Sequence, residues 1–82
     1  MDTKIHVHDV VVLTENTPAE HFETRFPLLL RRGQLGTVVL DYDGNNFEVE
    51  FASKDGVTFS LVALPATKLI VLQEEPEYST AT

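Results

Sequence analysis

Arg32-Gly33-Gln34-Leu35-Gly36-Thr37-Val38-Val39-Leu40, followed shortly by Phe47-Glu48-Val49-Glu50-Phe51, is the stretch that decides the fold. Both segments are rich in β-branched and aromatic residues. Asp43-Gly44-Asn45-Asn46 lies between them, and all four residues tolerate turn dihedrals, so the unit reads as a β-hairpin with strands at about 35 to 42 and 47 to 52. Setting Tyr42 opposite Phe47 places Leu40 opposite Val49 and Val38 opposite Phe51, which makes one continuous apolar face. Thr37, Val39, Asp41, Glu48 and Glu50 then share the other face, with Asp41 directly opposite Glu48.

Working outward, apolar faces stay together if Phe51 lies beside Phe59 and Val49 beside Leu61. That register leaves Lys54-Asp55-Gly56 as the loop, the pattern of a type I turn closed by a left-handed glycine and a bulge. A fourth strand at about 57 to 64 follows, with Val62 and Leu64 on its outward face. Leu64-Pro65-Ala66-Thr67 gives a tight single turn, and Lys68-Leu69-Ile70-Val71-Leu72 a short fifth strand. Upstream, Val10-Val11-Val12-Leu13 reads as the first strand, its pairing beginning only after Asp9. In Thr17-Pro18-Ala19-Glu20, a capping threonine, a first-turn proline and a capping-box acid open a short helix; Ala19, Phe22 and Phe26 share its face, and Pro27 ends it within about two turns. Leu28-Leu29-Leu30 then falls in a loop, where it must be buried under the sheet or held by a partner.

Five short strands, a long first loop, a central three-stranded meander and a tight turn before the last strand are the plan of a small all-β, five-stranded SH3-like barrel; an open sheet of four or five strands is the competing architecture. Eighty-two residues make one domain, expected over residues 1–72 and followed by an acidic tail over 73–82 with too little apolar content to order by itself. The chain has no cysteine, hence no disulfide or thiolate metal site, and no apolar run long enough to span a bilayer. Its start lacks the apolar core of a signal peptide, so a soluble cytoplasmic protein is expected. Six Lys and Arg against thirteen Asp and Glu give a formal charge of −7, which argues against nucleic acid and favours encounter with a basic protein.

Asp9-Val10-Val11-Val12-Leu13, the Arg32-to-Val39 element, Phe47-Glu48-Val49-Glu50-Phe51 and Asp55-Gly56, in this order, resemble a family of short bacterial proteins known as domain of unknown function 4926. The resemblance covers most of residues 9 to 72. The Gly33-to-Val39 element is also similar to KOW-type modules and to the nitrogenase accessory protein family NifZ, because glycine permits a sharp entry turn and close backbone approach. The resemblance implies a small accessory or partner protein, with an antitoxin or immunity role as one form, and no established activity. This chain departs from it by lengthening the first loop with residues 23 to 30, where SH3-like folds usually bind.

Candidate chemistry is sparse. His6 and His8 point the same way on a strand and with His21 could hold a metal, but no spacing fixes a third ligand, and a partly solvated strand end explains the pair equally well. Asp41, Glu48 and Glu50 form an acidic face on a convex hairpin, which offers no cleft for paired-carboxylate catalysis. Ser53 and Ser60 have no histidine brought near them. Arg31-Arg32, the one basic pair, is expected to pair with local carboxylates or lie over the Leu28-Leu29-Leu30 cluster. No nucleophile, base and orienting group come together, so the expectation is a non-enzymatic protein-interaction module without cofactor or metal. Its surface is expected to comprise Phe22, Phe26, Leu28, Leu29, Leu30, Val39, Asp41, Glu48, Glu50 and Val62, with a basic protein, or a second copy through the same loop, as partner. A KOW-type module associated with RNA or the ribosome is the alternative, carried by Arg31, Arg32 and the glycine element.

Overall fold

The branched run Val10–Leu13 forms β1, with Val11 and Leu13 turned into the core and Val10 and Val12 half-buried on the other side, the alternation a strand imposes. The structure is a computed structural model that describes residues 4–73. The remaining strands are β2 (Thr17–Glu20), β3 (Pro27–Leu30), β4 (Leu35–Asp41), β5 (Asn46–Ala52), β6 (Thr58–Pro65) and β7 (Leu69–Val71). The last two are joined by a single 3-10 turn over Ala66–Lys68, where the tight turn was expected. β6-β5-β4-β1-β7 make one antiparallel sheet, and β2 pairs with β3 in a separate two-stranded sheet. The fold is all-β. The acidic tail expected from 73 onward lies outside the described residues, apart from Gln73.

The hydrogen-bonded ladder does not close, which corrects the expectation of a barrel: β6 and β7 are the two free edges of an open sheet. The sheet nevertheless curls strongly. Flat, its edge strands would stand about 19 Å apart at ~4.8 Å per strand, yet only the short 3-10 turn links the end of β6 to the start of β7, and at ~2 Å rise per residue it covers less than half that distance. The concave side holds the core: Val11, Leu13, Val38, Phe47, Val49, Phe51, Leu64 and Leu69, closed from above by Leu30 of β3 and by Ile5. Among the described residues no helix is long and apolar enough to cross a membrane.

The first loop is a β-hairpin, not a helix. Thr17 pairs with Leu30, Pro18 with Leu29, Ala19 with Leu28 and Glu20 with Pro27. A helix of two turns flanked by prolines gains too few hydrogen bonds to offset its nucleation, whereas the leucine run, placed on a strand, alternates. Leu30 is buried and Leu28 packs against the core, while Leu29 faces solvent. The Thr17 hydroxyl, expected to cap a helix, donates instead to the Glu15 carbonyl at 3.1 Å.

Two register shifts correct the expected strand pairing. Val38 pairs with Val49, but the ladder slips at Val39, so Leu40 pairs with Glu48 and Asp41 with Phe47. A bulge of one residue exchanges the faces of everything beyond it; Leu40 and Tyr42, expected inside, are therefore exposed. On the other side of β5, Val49 pairs with Val62 and Phe51 with Ser60, with Phe59 as the extra residue where the ladder shifts. Leu64 is thus core and Val62 half-buried, both expected outside, and Leu61 is exposed. The Lys54-Asp55-Gly56 turn forms as read: Gly56 has φ +87°, its N–H donates to the Ser53 carbonyl at 2.9 Å, and the Ser53 N–H donates to the Val57 carbonyl at 2.9 Å.

Candidate functional site

A cleft of about 390 Å³ opens between the tip of the β2-β3 hairpin and the outer edge of β6. The tip is held by its own side chains. His21 donates its backbone N–H to the Phe26 carbonyl at 2.9 Å, while its Nδ1 accepts the N–H groups of Glu23 and Thr24 at 3.2 and 3.4 Å. The Thr24 hydroxyl accepts the Phe26 N–H at 3.2 Å, and Arg25 takes a left-handed φ of +64° to complete the reversal. Two bonds tie the hairpin to β6. Phe22 donates its N–H to the Phe59 carbonyl at 2.9 Å, and the fully buried Ser60 donates its hydroxyl to the Glu20 carbonyl at 2.8 Å.

Glu20, Phe22 and Arg25 line one side of the cleft, and Leu61, Val62 and Ala63 the other, with Glu48 beside them. Glu20 is 3.6 Å from the Arg25 guanidinium, an exposed pair that contributes little to stability. Glu48 accepts the Tyr42 hydroxyl at 2.7 Å. That bond, with a smaller contribution from the nearby carboxylate charge, raises the Tyr42 pKa above its ordinary value. The Phe22 ring stacks on His21 with centroids 5.5 Å apart.

Of the residues expected to form an interaction surface, the cleft gathers Phe22, Glu48 and Val62. Phe26, 72% exposed, and Leu29 project from the same hairpin, and Val39 is exposed at the β4 slip. Leu30 is withdrawn from any surface, because it is part of the core, and Leu28 is largely so. Asp41 does not oppose Glu48; it accepts the Gly44 N–H in the hairpin turn. Glu50 is bonded by the Thr58 hydroxyl. His6 and His21 are engaged separately: the His6 backbone N–H donates to Asp9 at 2.8 Å, and the His21 ring accepts backbone N–H groups in the hairpin tip. Among the described residues no three His, Asp or Glu side chains gather within reach of one metal ion. Ser53 bonds Asp55 and the Val57 carbonyl within its turn.

A family model described as a domain of unknown function (DUF4926) matches residues 7–71. The chain belongs to the DUF4926 family. No curated protein and no solved structure matches it. The matched span of the DUF4926 chain contains all seven strands and every residue of the cleft.

Sequence reasoning missed Glu20, Arg25, Leu61 and Ala63, because their meeting depends on the hairpin and on the one-residue slip in β6. The absence of any charge from Thr58 to Pro65 was the available signal. It also missed the charge layout of the DUF4926 domain. Lys68 and Thr14 are joined through the Thr14 N–H and Lys68 carbonyl, and Leu13 bonds both Gly33 and Gln34. The β4-β5 register then carries across to Lys54. Arg31, Arg32, Lys54 and Lys68 therefore stand along one end of the sheet. Of these four cations, only Lys68 has a carboxylate of the described residues within ion-pair distance, Glu15 at 3.5 Å, so the expected pairing of Arg31 and Arg32 with local carboxylates is absent among the described residues.

Proposed function

We propose that this chain is a non-enzymatic interaction module of the cytoplasm whose cleft and hairpin tip receive a basic protein partner. The observation that carries the reading is the exposure of Phe22, Phe26 and Leu29 beside the carboxylates of Glu20, Glu23 and Glu48, on a molecule with a formal charge of −7. Aromatic anchors among three carboxylates, one of them already paired with Arg25, suit a partner that presents lysine or arginine around an apolar centre. The strand order, with a hairpin after the first strand and a 3-10 turn before the last, supports an SH3-like connectivity, in which this hairpin lies where ligands are usually met. An antitoxin-like or accessory role is the biological form the reading takes. The immobilised chain should retain a basic protein from cell extract, release it as salt rises, and lose it when Phe22 and Phe26 are both changed to serine. Retention indifferent to salt and to both substitutions would overturn the reading.

A second reading rests on the end of the sheet where Arg31 and Arg32 precede β4, Lys54 follows β5 and Lys68 precedes β7. Such a row supports binding of an RNA phosphate backbone despite the overall negative charge, since direct Lys and Arg contacts to phosphate release counterions and are strongest at low salt. A gel shift at low salt with wild type and Arg31→Ala/Arg32→Ala decides it; no shift with the wild type removes this reading.

A further inference from the structure

The outer edge of β6 is unusual for an exposed strand. Its eight residues, Thr58–Pro65, carry no charge, and of the devices that ordinarily protect a free edge it has a bulge and hairpin cover at Phe59 and a proline at Pro65, all near its ends, with none between. Which main-chain groups face outward follows from the ladder. Val38 exchanges hydrogen bonds with His8 and Asp9, on the β1 side, so its pairing with Val49 is of the non-hydrogen-bonded kind and Val49 turns its N–H and C=O toward Val62. Val62 therefore faces β5, and the N–H and C=O of Leu61 and Ala63 face away from the sheet. The Phe59 slip, where Phe22 bonds the edge, closes one end of this window, and Pro65, which has no N–H, closes the other. Two outward donors and two outward acceptors remain between them, at the wall of the cleft, with no partner among the described residues.

We propose that Leu61–Ala63 is a strand-addition site, which takes an extended peptide with a basic residue as an eighth strand laid along β6. The inference rests on the reading of the cleft as a site for a basic partner and names how the partner is held. Main-chain bonding at an exposed edge supplies affinity independent of sequence, and side chains at alternate positions supply selectivity. Charge chooses the occupant. Ala63 pairs with Glu48 on the outer face, so a lysine or arginine on the added strand lies about two strand spacings, roughly 10 Å, from that carboxylate. The small Ala63 side chain leaves its path open, and because Glu20 across the cleft is already paired with Arg25 at 3.6 Å, Glu48 is the carboxylate that selects the occupant. A second copy pairing through the same edge is disfavoured, since it would bring together two chains each of charge −7 and the same carboxylates.

The test uses the full chain, nitrogen-15 labelled, with an alternating lysine-valine heptapeptide as probe. The peptide should move the amide signals of Leu61 and Ala63 and slow their exchange with solvent. Ala63→Pro removes one outward N–H without touching the β5 ladder; it should weaken the peptide roughly tenfold while leaving the melt close to wild type. Methylating alternate peptide nitrogens on the protein-facing side should do the same without altering the protein. Equal binding by both modified partners, or signal changes confined to Phe26 and Leu29, overturns strand addition and leaves the basic-partner reading standing. No binding of the peptide to the wild type overturns the strand-addition site, and no capture of a basic protein from extract overturns the reading beneath it.

Discussion

Gly36→Ala is the substitution that probes the fold most directly. Gly36 is buried in β4 and has an ordinary strand φ, so its glycine is required by space and not by dihedral. A Cβ built there would stand 2.6 Å from Cγ1 of Val49, 2.8 Å from Cε1 of Phe51 and 3.1 Å from the Glu50 carbonyl oxygen. Carbon atoms in contact sit at about 3.5–4.0 Å, so two core side chains, both at 0% exposure, must each retreat by about 1 Å. Overpacking of that kind costs about 1–3 kcal/mol, against a gain of about 0.5–1 kcal/mol for replacing glycine in a strand. The difference spans about 0 to 2.5 kcal/mol with its centre a little above 1, and at ~4–8 °C per kcal/mol the central value is a fall in Tm of roughly 5–10 °C. Thermal and urea unfolding followed by circular dichroism measure it, and Val49→Ala in the Gly36→Ala background should restore part of what was lost. A Gly36→Ala protein that melts at or above the wild-type temperature refutes the close approach of β4 to β5 on which the core depends.

Ser60→Ala should cost about 1 kcal/mol and speed exchange of the Phe22 amide, because it frees the Glu20 carbonyl and one of the two ties between hairpin and sheet; unchanged exchange would show that the hydroxyl does not hold the tip. Gly56→Val places a β-branched residue at φ +87° and should destabilise by about 1–3 kcal/mol, with an unchanged melt rejecting the turn. Asp43 and Asp55 have pKa values below the ordinary 3.8, Asp43 chiefly through the Asn45 N–H and Asp55 chiefly through the Ser53 hydroxyl. Groups with lowered folded pKa stabilise above the unfolded value and lose that contribution as pH falls through the folded one, so the urea midpoint should drop on acidification below about pH 4, less steeply in Asp43→Asn. Tyr42 has the opposite sign: its raised pKa means that its contribution is complete below pH 10.0 and fades as pH rises through the higher folded value. Ultraviolet titration should place its ionisation above the ordinary value, and Glu48→Gln should bring it back down; a midpoint unmoved by Glu48→Gln would show that the bond is not formed in solution.

The all-β class, β1, the two meander turns, the 3-10 corner and the last strand were legible in the residues, because each depends on local chemistry. A left-handed glycine at Gly56, an Asp-Gly-Asn-Asn turn and a run of branched side chains act over a few positions and need no distant partner. Membership of the DUF4926 family was legible for a similar reason, since short ordered motifs survive as text. The hairpin over residues 17 to 30 was not. Thr17-Pro18-Ala19-Glu20 carries every local mark of a helix start, and only pairing with the leucine run ten residues on outweighs it.

Register marks the same boundary. Apolar alternation along β4, β5 and β6 said that faces match, but a slip at Val39 and another at Phe59 change which residues meet without changing composition. Only the curled sheet decides them. Its curvature demands extra residues where strands bend, and with them it turns Leu40 and Tyr42 outward, draws Leu64 inward and presents the free edge at Leu61 and Ala63 to the cleft. Local sequence thus set which elements form, and long-range packing set which of their atoms are left for a partner to touch.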